Sequence, residues 1–148
     1  MKNQEKKEKV IKNQVKIQEK YLELKYLEQK INQINEQVLE LEKQSLNFNL
    51  LNENLEDIQK TKTTEKIFVP LGSGILIEAQ LKDNKEVLVS VGSDIIVKKE
   101  ISEAKDFIKE QINQIELVIK VIDKNLQNLI LESQKLQSEL KDLISEIQ

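Results

Sequence analysis

The sequence predicts an α+β fold in which two long helices pair as an antiparallel coiled-coil hairpin, with a small β region between them. Heptad repeats of apolar residues occupy both flanks of the 148-residue chain. Short runs that alternate apolar and polar residues and are rich in β-branched side chains occupy the middle. The single proline and the three glycines lie between positions 70 and 92. Because Gly and Pro interrupt regular structure, the flanks are predicted to be unbroken.

The first flank predicts a coiled-coil helix over residues 1–60. Its a and d positions recur without a slip and form a seam: Ile17, Lys20, Leu24, Leu27, Ile31, Ile34, Val38, Leu41, Ser45, Phe48, Asn52 and Leu55. Only Lys20, Ser45 and Asn52 are polar. A polar residue at an a position can fix the register of a coiled coil at some cost in stability. The alternative is that the seam loosens towards the middle of the chain.

The second flank predicts a coiled-coil helix over residues 102–148. Ser102, followed by Glu103 and Asp106, is the expected N-cap. The seam positions again recur without a slip, and only Ser133 is polar: Ile108, Ile112, Ile115, Ile119, Ile122, Leu126, Leu129, Ser133, Leu136, Leu140, Leu143 and Ile147. The two repeats are nearly equal in length, so we expect them to pair, with Leu55 beside Ile108 and Ile17 near Ile147. Residues 1–16 would then largely overhang.

The middle predicts four strands, at 66–71, 75–82, 86–91 and 94–99. Gly72–Gly74 is expected to turn the first strand into the second, and Gly92–Ser93 the third into the fourth. Residues 83–85, "DNK", also favour a hairpin between the second and third strands. A small sheet leaves edges and an apolar face uncovered, so these strands are expected to assemble with other subunits into a closed β-barrel. The predicted assembly residues are Ile75, Ile77, Val87, Val89 and Val91.

Composition excludes several classes of function. The chain has no Cys and no His, so it lacks thiol nucleophiles, imidazole bases and the ligands that zinc prefers, and we expect no enzyme, metal or cofactor. The sequence "LGSGI" leads into a strand rather than a helix, which argues against a phosphate loop. All 23 basic residues are Lys and the net charge is −3, so no nucleic-acid partner is expected. No stretch approaches the roughly 20 apolar residues that span a bilayer, so no membrane partner is expected and a cytoplasmic protein is predicted.

The segments "VPLGSGILIEAQL" and "EVLVSVGSDIIVKKEISEA", between two heptad helices, resemble the archaeal prefoldin family, specifically its α-type subunit. The resemblance implies one domain over residues 1–148, with two β-hairpins between the helices at 66–99. It also implies an ATP-independent holdase that binds unfolded proteins at the coiled-coil tips and passes them to a group II chaperonin. The implied partners are therefore β-type prefoldin subunits in a hetero-hexamer, unfolded clients and the chaperonin.

The predicted client-binding residues are apolar side chains at the tips that the seam does not use. Val10 and Ile11 have no facing partner in the expected register, while Val15 and Ile144 lie off the seam, and the first three stand among several lysines. For Ile17, Leu136, Leu140, Leu143 and Ile147, packing within the seam is the stronger interpretation. Two other functions remain open: a filament-forming prefoldin-like homo-oligomer, and a structural coiled-coil adaptor without chaperone activity.

Overall fold

The computed structural model describes residues 1–147, which form two long helices with four short strands between them. The elements run in the order α1 (Lys2–Lys60), β1 (Lys66–Gly72), β2 (Ile75–Gln80), β3 (Glu86–Ser90), β4 (Ile96–Glu100) and α2 (Ile101–Ser145). The predicted helices and strands are thereby confirmed, with shifts at their ends. The chain divides into a terminal unit, Met1–Leu41 with Leu117–Gln148, and a central unit, Glu42–Glu116.

Burial along both helices follows the heptad. Each predicted seam position from Ile17 to Leu55 and from Ile108 to Ile147 is buried or half-buried. In the terminal unit, the buried cluster consists of Leu24, Leu27, Leu136 and Leu140, with Ile17 and Leu129 packed against it. In the central unit it consists of Leu55, Ile101, Ala104 and Ile108, with Phe48, Ile58, Val87 and Ile112 packed against it. Leu55 and Ile108 thus share a cluster, as the predicted register requires, and the seam stays packed next to Asn52.

The four strands form two separate antiparallel hairpins, each a two-stranded sheet. In hairpin 1, β1 pairs with β2; in hairpin 2, β3 pairs with β4. Gly72, Ser73 and Gly74 adopt φ values of +126°, +48° and +78°, which allow the tight reversal in hairpin 1. Each strand keeps one edge unpaired within residues 1–147.

The expected hairpin between the second and third strands is wrong. Asp83 and Asn84 do not close a turn between paired strands, because β2 and β3 belong to separate sheets. The Asp83 carboxylate accepts a hydrogen bond from the backbone N–H of Lys85 (2.8 Å), and the Asn84 amide donates to the carbonyl of Thr61 (3.1 Å), just past α1. Residues 81–85 are therefore a link anchored to the end of α1.

The predicted N-cap at Ser102 is also wrong. Helix α2 begins at Ile101, directly after β4, so Ser102 lies inside its first turn. The backbone N–H of Ile101 donates to the carbonyl of Lys85 (2.9 Å), and the Ile101 side chain is fully buried. The first N–H group of α2 is thus satisfied by a tertiary contact with the link before β3.

Candidate functional site

A cleft in the terminal unit, here called the terminal cleft, is the first candidate site. Its lining comes from one stretch of α1 and the last described residues after α2: Asn3, Lys6, Lys7, Lys9, Val10, Ile11, Asn13, Glu146 and Ile147. The Asn13 side chain donates a hydrogen bond to the Glu146 carboxylate (3.4 Å), which joins the two stretches. All residues from 1 to 12 are exposed. The cleft therefore presents lysines and two apolar side chains to solvent.

The four predicted client-binding residues are all solvent-exposed. The exposed fractions are 37% for Val10, 60% for Ile11, 49% for Val15 and 46% for Ile144. Only Val10 and Ile11 line the terminal cleft. Of the tip residues expected in the seam, Leu136 and Leu140 are buried core members and Ile17 packs against them. Their exposure and packing are thus as expected, whereas binding of a client stays a prediction.

Exposed apolar residues also occur elsewhere on the terminal unit, which the sequence reasoning missed. They lie at heptad positions other than a and d: Tyr21, Leu22, Tyr26, Leu39, Leu117, Val118, Val121 and Leu131. Leu and Val at outward heptad positions were the available signal. Exposure alone therefore does not single out the terminal cleft; its distinguishing feature is that three lysines line it together with Val10 and Ile11.

Hairpin 1 is the second candidate site, and it exposes apolar side chains on both faces. Val69 pairs with Ile77, and Ile67 pairs with Ala79, so these four side chains share one face. Ile77 and Ile75 are at least half exposed. On the opposite face Phe68, two-thirds exposed, lies across from Glu78, which forms an ion pair with Lys66 (2.7 Å). No residue of hairpin 1 belongs to either buried cluster of residues 1–147.

Hairpin 2 differs because one of its faces packs on its own helices. Val87 packs against the central buried cluster, and Val89 is also half-buried. An open groove remains between β3 and the helices, lined by Phe48, Leu51, Leu55, Val87, Leu88, Val89, Ser90, Val91, Lys99, Ala104, Phe107 and Ile108. Of the five predicted assembly residues, Ile75, Ile77 and Val91 are exposed, Val87 packs against the central cluster and Val89 is half-buried. Their role in assembly stays a prediction.

Comparison with known proteins identifies the family. The prefoldin subunit family matches residues 23–146, most of the chain.

The chain belongs to the prefoldin family.

Prefoldins are a chaperone family rather than an enzyme family, and their members assemble into oligomers with other prefoldin subunits. A cryo-electron microscopy structure of filamentous prefoldin from Methanocaldococcus jannaschii matches this prefoldin with a TM-score of 0.69 and 20% sequence identity. The match covers 78% of this chain and 95% of that one. At this identity it establishes the fold of two long helices with two β-hairpins between them. No curated protein sequence is significantly similar to the chain.

The matched range begins after the α1 part of the terminal cleft. Val10, Ile11 and Val15 precede residue 23, whereas Ile144 lies within the matched range. Hairpins 1 and 2 lie wholly within it. The family match therefore includes both hairpins but not the α1 side of the terminal cleft.

Two ion pairs join the helices of this prefoldin, one in each unit. In the terminal unit Lys20, at a d position, is bonded to Glu139. That hydrogen bond raises the pKa of Lys20 and lowers the pKa of Glu139. In the central unit Lys105 lies 3.0 Å from Glu56, and this hydrogen bond lowers the pKa of Glu56. The polar seam residue Lys20 is therefore paired in its charged form.

The described part of this prefoldin shows neither a metal-binding cluster nor a span for a bilayer. Within residues 1–147, no three acidic side chains are placed to hold a metal ion. None of the helices there is apolar over enough of its length to traverse a membrane.

Proposed function

We propose that this prefoldin is the α-type subunit of an ATP-independent holdase that binds unfolded proteins and passes them to a group II chaperonin. The observation that carries the proposal is the terminal cleft, where Val10 and Ile11 are exposed on a chain of a chaperone family. An unfolded chain exposes apolar segments, and these lose contact with water when they lie against such side chains. The grip needs no nucleotide because burial itself is favourable.

A grip of this kind is weak and reversible for each copy. Burial contributes roughly 25 cal/mol per Å² of apolar surface, and ordering the bound segment opposes it. Several copies in one assembly act on the same client, because after the first contact the others become intramolecular and raise the overall avidity. Oligomerisation is therefore part of the proposed mechanism.

Assembly is proposed to occur through the strands. Both two-stranded sheets carry unpaired edges, and hairpin 1 exposes apolar side chains on both faces. Strands of other subunits would pair with these edges and close a barrel, which removes the edges. The resemblance implies two β-hairpins in an α-type subunit and one in a β-type subunit. The two hairpins of this chain therefore support the α-type assignment, with β-type subunits completing a hetero-hexamer.

The client-binding proposal is tested by replacing Val10, Ile11, Val15 and Ile144 with Gln in one variant. The matched control replaces Leu22, Leu39, Leu117 and Leu131, which are more exposed and lie in the same unit. Both variants lose four exposed apolar side chains and keep helix-forming residues. We expect the first to lose most of its suppression of aggregation of a heat-denatured client without ATP, and the control to keep it. Equal protection of the client by both variants would show that these four residues do not form the client-binding site.

A filament-forming homo-oligomer is the second candidate, favoured by the unpaired edges on both hairpins. Identical subunits that pair head to tail through such edges grow without closing, whereas a hexamer stops. A coiled-coil adaptor without chaperone activity is the remaining alternative. It predicts no protection of any unfolded client by the unmodified chain.

A further inference from the structure

Positive charge is concentrated at the α1 side of the terminal cleft. Residues 1–16 contain six Lys and two Glu, a formal charge of +4. Because the whole chain carries −3, the remaining residues together carry −7. The segment that contains Val10, Ile11 and Val15 is thus basic on an otherwise acidic protein.

The lysines of the cleft are not neutralised by the chain itself. Lys6, Lys7 and Lys9 line the cleft beside Val10 and Ile11. The ion pairs among residues 1–147 involve Lys20, Lys66, Lys98 and Lys105, and none of the first six lysines. The one acidic lining residue, Glu146, accepts the hydrogen bond from Asn13. An occupant with negative charge would therefore find unpaired cations next to apolar surface.

We infer that the terminal cleft selects unfolded segments in which acidic residues flank apolar ones. The inference rests on the proposed holdase function and names its class of client. Apolar side chains of the segment would contact Val10 and Ile11, while Asp or Glu a few residues away would pair with the lysines. Each exposed ion pair is weak and screened by salt. Several of them together are enough to discriminate between clients of equal hydropathy.

The composition of the segment favours a protein occupant over a nucleic acid or a membrane. Residues 1–16 contain no aromatic side chain on which bases stack and no Arg. Val10 and Ile11 are successive residues and so lie about 100° apart around the helix. Val15 lies about 40° further around, so the three share one face, but three aliphatic residues without an aromatic side chain are too little apolar surface to hold a helix in a bilayer surface.

The test measures binding of three labelled peptides to the full chain by fluorescence anisotropy. The peptides are unstructured and share the same Leu and Val positions, but carry Asp, Ser or Lys at the positions between them. One variant replaces Lys6, Lys7, Lys9 and Lys12 with Gln. The matched control replaces Lys25, Lys30, Lys120 and Lys124, which are exposed, lie in the terminal unit and remove the same charge.

We expect the unmodified chain and the control to bind the Asp peptide about tenfold more tightly than the Ser peptide, and the Lys peptide least, because about four weak ion pairs act together. In the first variant this preference should fall to within about twofold, with binding of the Ser peptide unchanged. The preference should also shrink as salt is raised from 50 to about 300 mM, since added ions screen exposed charges.

Other results would overturn the inference. Equal binding of all three peptides, together with loss of binding in the four-residue apolar variant, would overturn charge selection and leave the holdase function standing. No binding of any peptide would overturn both. A single-stranded oligonucleotide bound more tightly than the Asp peptide would show that the lysines serve a nucleic acid instead.

Discussion

A charged residue at a seam position is tolerated in this chain because a partner on the other helix meets it. Lys20 occupies a d position, where an apolar residue is usual, and is half-buried. Glu139 of α2 bonds to it, next to the cluster of Leu24, Leu136 and Leu140. Both side chains stay partly exposed, so the pair keeps contact with water and avoids the large cost of complete burial. The ion pair thus joins the two helices at a seam position that lies between the buried cluster and the terminal cleft in sequence.

We predict that replacing Glu139 with Gln lowers the free energy of unfolding at neutral pH and that this difference disappears in acid. The hydrogen bond from Lys20 holds the pKa of Glu139 below its usual value of 4.5. A carboxyl group with a lowered pKa in the folded state stabilises the fold above the pKa of the unfolded chain and loses that effect as the pH falls through the folded pKa. Urea denaturation, followed by the circular dichroism of the helices at pH 7 and then stepwise below pH 4.5, measures the difference in the free energy of unfolding between the two proteins.

The control for this prediction is Glu132→Gln, an exposed carboxylate of α2 that forms no ion pair among residues 1–147. It should not change the pH profile. Lys20 gives the opposite pH dependence, because its pKa is raised above 10.5 in the folded chain. Its contribution to the free energy of unfolding is therefore complete below that value and is lost as the pH rises through the folded pKa. A variant that remains equally destabilised at pH 3 would show that Glu139 acts through packing rather than charge.

At the scale of elements, the junction between β4 and α2 is held by packing rather than by a cap. Ile101 begins α2, is fully buried among Leu55, Ala104 and Ile108, and bonds through its backbone N–H to Lys85. The same residue therefore fixes the start of a helix, the end of a strand and the link before β3. We infer that hairpin 2 and the base of the two helices fold as one cooperative group, whereas hairpin 1 shares no buried cluster with them.

We predict that Ile101→Ala lowers the free energy of unfolding by about 2–5 kcal/mol, because it removes buried methyl groups and leaves a cavity. Ile130→Ala, on the exposed face of α2, is the matched control and should cost below about 1 kcal/mol. Urea denaturation at one protomer concentration measures both values, since assembly makes stability depend on concentration. Similar losses in the two variants would contradict the assigned role of Ile101.

The helices were predictable from sequence because their signal is local. Apolar spacing alone located the seam, and burial in the structure follows it from Ile17 to Ile147. Which turn-forming segments join paired strands could not be predicted from neighbouring residues alone. Asp83–Lys85 and Gly72–Gly74 each carry turn-forming residues, and the outcome depends on the bond from Asn84 to Thr61, a partner 23 positions away. The start of α2 was missed for the same reason, since Ile101 bonds to Lys85 across hairpin 2.

The candidate sites were predictable to different degrees. Exposure of Val10 and Ile11 follows from the absence of facing seam positions, so heptad counting was sufficient. The two hairpins were not told apart from sequence, because the apolar residues of both were expected to face other subunits. Only the packing of Val87 against the central cluster, and the groove beside Phe48 and Phe107, show that hairpin 2 uses part of its apolar face within the chain.

At the scale of the whole molecule, unpaired strand edges require partners. Hairpin 1 is the better place to test assembly, since its apolar residues serve no buried cluster of residues 1–147. Val89 is less suitable, because it is half-buried beside the helices of its own chain and a charge there would also disturb the fold. Ile77 is half exposed at the centre of the first hairpin, opposite Val69.

We predict that the chain forms a closed hexamer only when mixed with a single-hairpin, β-type prefoldin subunit, and that Ile77→Glu abolishes that hexamer while helicity is kept. A carboxylate at Ile77 would be buried without a partner in a closed barrel, which is costly. Leu131→Glu, at an apolar and somewhat more exposed position on α2, should assemble normally. Native mass over a range of concentrations, alone and mixed, measures all three proteins.

The concentration dependence decides between closed and open assembly. A closed hexamer keeps one mass once it has formed, because its last interface uses the last free edge. Mass that continues to rise with concentration in the chain alone, and that ignores the added subunit, would establish the filament and remove the α-type assignment. In that case Ile77→Glu should still stop growth, since both assemblies consume the same strand edges. Normal assembly of Ile77→Glu in either form would instead place the contacts in hairpin 2, whose groove between β3 and the helices would then have to accept the neighbouring subunit.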